Sequence, residues 1–257
     1  MSSRMEKLKR ETLFTRDNIS KMFLSTAVAM IATEFTGVIS VLVDGIITSR
    51  FLGVDAYSGI SLLRPFTNLL LVVAGFFSTG CGILCSQKIG IGDKEEANEA
   101  FNLSVILLLV FSAVIVLLGF LFPTGLLQLC GVPMNKHPEL HPHMYAYLKG
   151  YLFGIPAMLI LQILGPILVL DNGKKLFTIS SVVLGAANII GDLLNVYVFH
   201  GGVFGMGLAT SAGYVIQFLI VSGYLFRKNS YFRISLQDFK TRLLPELSKN
   251  GPPALVK

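Results

Sequence analysis

SVVLGAANIIGDLLNVYVF, residues 181–199, is apolar over a length that crosses a bilayer, yet it carries Asp192 within it and Asn188 one helical turn earlier. About 20 apolar residues suffice to span the hydrocarbon core. An aspartate in the middle of such a helix costs about 2.5–3.5 kcal/mol on the insertion scale. Packing gives no return on that cost. The default meaning of an intramembrane carboxylate is an ion or proton path.

The rest of the chain agrees with a membrane setting. Of 257 residues, 53% are apolar and 14% charged, with a mean hydropathy of +0.69; soluble domains carry about 25% charged residues. Six apolar segments are predicted at about 22–48, 58–84, 101–122, 144–170, 176–199 and 204–226. The first is too long for a secretory signal and lacks a small-residue cleavage site. The architecture expected is an all-α membrane protein, a six-transmembrane-helix bundle. Residues 1–21 form a basic tail, 22–226 the transmembrane lobe, and 227–257 a charged linker.

Lysine and arginine orient the bundle. They crowd the N-terminal tail, the loop at Lys88 and Lys94, the turn at Lys174 and Lys175, and the C-terminal tail from Arg227 onward. Only Arg50, Arg64, Lys136 and Lys149 lie elsewhere. The positive-inside rule then puts both termini in the cytoplasm of a plasma (inner) membrane protein. The ending LSKNGPPALVK (247–257) restarts an apolar pattern and reads as the beginning of a seventh helix, so the chain is expected to be part of a longer protein. Pro65, Pro156 and Pro166 fall inside spans and are expected to kink them. Residues 123–143 read as a long external loop.

Five ionisable groups sit in the spans: Glu34, Asp44, Arg64, Lys149 and Asp192. Counting from the span ends at 1.5 Å per residue places Asp44, Arg64, Tyr147, Asp192 and Thr210 roughly 5–10 Å below the external surface. Five helices thus contribute polar groups to one layer. Asn188 and Asp192 share a helix face, and Asn195 extends it at i+3. Carboxylate, amide and hydroxyl oxygens suit a hard cation such as Na+, or a proton on the aspartate. The plainer alternative for the asparagines is interhelical hydrogen bonding. Glu34 is a second protonation site or a neutral buried acid. Arg64 either pairs with a carboxylate or, like Lys149, snorkels to the interface. HPELHPH (137–143) is interrupted by prolines and reads poorly as a metal site. Cys81 and Cys85 read as packing residues, and GIGDK (90–94) lacks the spacing of a phosphate loop. No cofactor and no nucleic-acid partner is expected.

Three stretches together resemble the multidrug and toxic-compound extrusion (MATE) family: VLVDGIITSRFLG (41–53), SQKIGIGDKEEAN (86–98), and NGKKLFTISSVVLGAANIIGDLLN (172–195) with GVFGMGLATSAGY (202–214). The resemblance covers about residues 20–250. It implies one six-helix lobe of a twelve-helix transporter that is not an enzyme, exporting small organic cations in exchange for Na+ or H+. The coupling site it implies uses Asp44, Tyr147, Asn188, Asp192 and Thr210, with Na+ held by Asp44, Asn188, Asp192 and Thr210. Glu34, Arg64 and Asn195 are accessory candidates. The partners implied are the lipid bilayer and a second lobe, or a second copy of this chain. One departure is the absence of proline from FLSTAVAMIATEF (23–35), which removes a proline-dependent bend of the first helix. Three alternatives remain. A lipid-linked oligosaccharide flippase would need a more cationic cavity than Arg64 and Lys149 provide. A CDP-alcohol phosphotransferase would need more aspartates after DGIITSR (44–50). An inactive half-transporter would fold without moving substrate.

Overall fold

The computed structural model describes residues 16–132, 135–171, 173–225, 232–233 and 241–250. The basic tail up to residue 15 lies outside the described residues, as do residues 251–257 of the apolar restart at 247–257 and much of the linker after 225. Ten α-helices cover the described chain: α1 (Arg16–Phe51), α2 (Val54–Ser61), α3 (Arg64–Ile91), α4 (Lys94–Leu121), α5 (Pro123–Leu129), α6 (His141–Tyr151), α7 (Ile155–Leu170), α8 (Lys174–Leu194), α9 (Gly202–Leu225) and α10 (Leu244–Asn250). They make six membrane-length spans: Phe23–Phe51, Val54–Ile91, Lys94–Leu121, Pro138–Leu170, Lys174–Phe199 and Gly202–Tyr224. The six expected spans are all present.

Local chemistry sets the breaks. After α3, Gly92 adopts φ 87°, a left-handed value that costs glycine nothing. Asp93 then caps α4 by accepting a hydrogen bond from the Glu96 amide at 3.0 Å, and Glu95 and Glu96 face the positive end of the helix dipole. The glycine-rich signature at 86–98 is therefore a helix–turn–helix hinge. Two of the three prolines do not kink as expected. Pro65 and Pro156 sit in the first turns of α3 and α7, after a turn at Leu62–Leu63 and a 3-10 turn at Leu152–Gly154. A missing N–H is harmless there. Pro166 alone lies inside its helix. The expected long loop after the third span is partly ordered: Pro123 opens α5, and Pro138–Leu140 form a 3-10 turn leading into α6.

The fourth span is the hub, with 72% of its most apolar stretch buried, against 6% for the first. Helix α9 lies against both α8 and α6, α1 lies along α8, and α3 packs between α4 and α7. The α6–α9 crossing is made by small residues. A Cβ at Gly150 would strike the Phe204 carbonyl oxygen, and one at Gly207 the Tyr147 carbonyl oxygen. Ser211 secures the crossing by sharing its hydroxyl proton between the carbonyls of Gly150 (2.8 Å) and Tyr151 (3.0 Å). With no hydrophobic drive to associate in lipid, helices adhere by the dispersion contacts that such close backbone approach allows. The crossing also puts Tyr147 beside Thr210.

On the face where α1 begins, residues 232–233 and 241–250 pack on the α3–α4 turn. Phe232 is buried against Phe101, ring centroids 5.4 Å apart. The Arg233 amide donates to Asn98 Oδ1 at 2.7 Å, and Asn102 Nδ2 donates to the Arg233 carbonyl at 2.9 Å. Leu243 and Leu247 are buried, Arg242 reaches Glu96 and Glu99 at 3.4 Å each, and Lys88 bridges Glu96 at 2.8 Å.

Candidate cation site

Four helices meet at Asp192. The residue is completely buried on α8. Asp44 of α1 lies within electrostatic reach of it. Tyr147 of α6 lies within electrostatic reach of both carboxyls. Thr210 of α9 links the rest: the Asn188 Nδ2 donates to Thr210 Oγ1 at 3.2 Å, and the Tyr147 hydroxyl is 3.2 Å from the same oxygen. The five residues singled out from the sequence are thus neighbours in space.

Proton inventory fixes their roles. A threonine hydroxyl has one proton and two lone pairs. Thr210 gives its proton to the Met206 carbonyl at 3.1 Å. It must therefore accept from both Asn188 and Tyr147, and its oxygen has no lone pair left. Thr210 organises the site, and the Asn188 carbonyl oxygen and the Tyr147 oxygen remain as acceptors. Thr48 Oγ1 approaches Asp44 Oδ1 at 3.5 Å from one turn further along α1. Asp192 differs from all of these. Among the described residues, neither Oδ1 nor Oδ2 receives a hydrogen bond. Two facing carboxylates with no donor between them repel strongly in a low-dielectric interior. One proton or one small cation between them removes that repulsion and satisfies the orphaned oxygens.

The accessory candidates go elsewhere. Asn195 is buried and its amide is engaged elsewhere: the helix widens to a π turn over Asn195–Phe199, and Asn195 Nδ2 donates to the Gly202 carbonyl at 2.8 Å. That bond ties α8 to the start of α9. Arg64 is exposed at the first position of α3 and makes no ion pair with Asp44 or Asp192 among the described residues. Lys149 is exposed as well. Glu34 lies on α1 at the wall of a cavity of about 710 Å³, on the α1-start side of the acidic pair. Cys81 and Cys85 are buried with their sulfurs 3.7 Å apart, and Cys85 donates to the Ala97 carbonyl at 3.3 Å.

Sequence reading passed over three groups near the site. Thr48 follows Asp44 by four residues, a spacing that signals a shared face. Tyr151 follows Tyr147 by four, and their rings stack at 5.7 Å and 22°. Tyr214 follows Thr210 by four in the same way.

Six apolar spans, with buried Asp192 and half-buried Asp44 side by side among them, define a multi-pass membrane protein. The MatE family model matches residues 29–196, and the chain belongs to that family. The resemblance read from its motifs therefore holds. The probable multidrug resistance protein YoeA of Bacillus subtilis (strain 168) is 25% identical over 189 residues, covering 72% of this chain and 40% of that protein. A MATE crystal structure in the bent conformation superposes with a TM-score of 0.80 at 23% identity, covering 91% of this chain and 52% of that one. The outward-facing conformation of a multidrug resistance MATE family transporter superposes with a TM-score of 0.78 at 23% identity, covering 92% and 52%. The chain thus spans about half the length of these solved relatives.

Proposed function

We propose that the chain is the N-terminal lobe of a cation-coupled antiporter that exports organic cations, and that Asp44 and Asp192 bind the coupling Na+ or H+. The observation that carries this reading is the donor-free, fully buried carboxylate of Asp192 facing a second carboxyl from another helix. Family membership supplies the transport context. With the clustering of basic residues on the face where α1 begins, both termini lie in the cytoplasm of the plasma membrane, and the pair lies nearer the outside. An external cation neutralises the pair, α1 packs differently against α8 and α9, and the drug-releasing state gains population. The cation drives this change only to the extent that it binds the two states unequally. A site whose charge repulsion is relieved in one state provides such a difference.

A second lobe or a second copy of the chain supplies the other wall of the substrate path, in keeping with a chain that spans about half the length of its solved relatives. Asp192→Asn is the test. Efflux of ethidium from energised cells making a two-lobe transporter that contains this chain is expected to fall to the vector background, with membrane insertion unchanged. Full efflux in that variant contradicts the reading. The same assay on the 257-residue chain alone decides whether two copies suffice or the lone lobe is inactive.

A further inference from the structure

One cavity lies apart from the acidic pair. Helix α1 packs along α8, while α3 packs on α4 and α7. Residues of α1 and α3 line a cavity of about 710 Å³, with α7 and α8 completing its wall. That volume falls in the range of small-molecule sites, about 300–1,000 Å³. On α8 its wall ends at Leu184, eight residues before Asp192, and on α1 at Gly37, seven before Asp44. Two helical turns thus separate the cavity from the pair on both walls. Above it α8 meets α1: a Cβ on Gly185 would sit 2.6 Å from Ser40 Oγ and 3.0 Å from Thr36 Cγ2.

The charged residues that line this cavity are Glu34 and Lys174, of opposite sign. Among the described residues neither has an ion-pair partner, and they do not pair with each other. Lys174, the first residue of α8, donates from Nζ to Ser25 Oγ at 2.8 Å. That neutral partner holds the ammonium level with Ser25 and leaves its charge uncompensated. Glu34 is exposed and lies nine residues further along α1, about 13 Å along the axis. Apolar side chains from three helices fill the interval: Met30 of α1, Pro166 of α7 and Phe177 of α8. The Phe177 ring lies against Gly165, which sets these two helices at one level. Charges so far apart neither neutralise each other nor share one small ion. A lone cation at Glu34 leaves Lys174 unanswered and is repelled by it, and a lone anion at Lys174 meets the reverse. A molecule with a cationic group at one end, an anionic group at the other and an apolar middle answers both.

We propose that this cavity binds an elongated zwitterion, its ammonium against Glu34 and its carboxylate against Lys174. The proposal rests on the reading of the chain as a transporter lobe and deepens it: the organic cations it takes are those that carry a distant anionic group, and Glu34 and Lys174 select them. It does not depend on the Asp44–Asp192 pair. The orientation is fixed by the wall. The cationic end enters first and stops at Glu34, and the anionic end stays at the level of the α8 start.

The test measures binding of radiolabelled 11-aminoundecanoate to the purified 257-residue chain in phosphatidylcholine nanodiscs at neutral pH. Undecylamine and undecanoate compete as single-charge probes of the same length, and nanodiscs without protein give the blank. Saturable binding is expected, with the zwitterion held about tenfold or more tighter than either competitor. Glu34→Gln and Lys174→Gln are each expected to weaken zwitterion binding about tenfold or more. They also differ from each other: Glu34→Gln removes the preference over undecanoate, and Lys174→Gln the preference over undecylamine. Undecylamine that competes as well as the zwitterion, with Lys174→Gln unchanged, overturns the proposal in favour of a plain cation pocket. Absence of saturable binding above the blank overturns it as well. If Lys174→Gln fails to fold, the ranking of the three probes on the parent chain decides. The two levels answer separately. Full efflux in Asp192→Asn with saturable zwitterion binding by the parent sinks the cation-site reading alone, whereas lost efflux in that variant without zwitterion binding by the parent sinks the zwitterion cavity alone.

Discussion

Asp192 illustrates how a group can destabilise the chain and still be retained. Its two oxygens are buried without a donor among the described residues. A neutral amide of the same shape would relieve the repulsion with Asp44. Asp192→Asn is therefore expected to raise the thermal unfolding midpoint of the purified chain at alkaline pH while removing coupling. A fall of the midpoint would mean that Asp192 is held by favourable contacts after all. Thr210→Val should act in the opposite direction. It strands the Asn188 amide and the Tyr147 hydroxyl, which both donate to Thr210. The cost expected in a chemical unfolding titration is about 1–3 kcal/mol. At this scale the sequence was informative about depth and silent about azimuth. Asp192 and Asn188 are legible because helical spacing and an apolar background leave few readings. Arg64 shares their depth, but no pattern in α3 tells that it points away. The engagement of Asn195 with the Gly202 carbonyl was not legible, because the π turn that brings α8 to the start of α9 leaves no mark in the residue spacing.

Helix contacts give a second set of expectations. Gly207→Ala thrusts a Cβ into the backbone of α6, where no flexible side chain can give way. Overpacking of this kind costs about 1–3 kcal/mol, and it should also separate Tyr147 from Thr210. On the starting face, α10 holds the α3–α4 hinge through both charge and apolar burial. The two are unequal. Arg242 is 62% exposed, so its pairs with Glu96 and Glu99 contribute about 0–1 kcal/mol. Leu247 is 1% exposed, and Leu247→Ala should cost about 2–5 kcal/mol. Unfolding titrations of the two variants test that order, and an Arg242→Ala loss exceeding that of Leu247→Ala would reverse it. The spans were legible because apolar length alone identifies them. The docking of α10 was not, because Glu96, Glu99 and Arg242 read as ordinary solvated charges until the fold brings them together.

Across the whole molecule, the six spans form a bundle around the fourth, with the acidic pair toward one face and the Glu34 cavity toward the other. The motifs were legible because their glycines stand at a left-handed turn (Gly92) and at close helix crossings (Gly207, Gly213) of this chain. What the bundle does with a cation depends on the Asp44–Asp192 pair, and proton uptake measures that pair most directly. Purified chain in weakly buffered detergent solution is acidified stepwise, and bound protons are counted against Asp192→Asn. A pair that binds the coupling cation takes up one proton more than the variant, and if Na+ binds at the same place, added Na+ suppresses that extra proton. Identical uptake curves for the parent and Asp192→Asn would contradict the cation site.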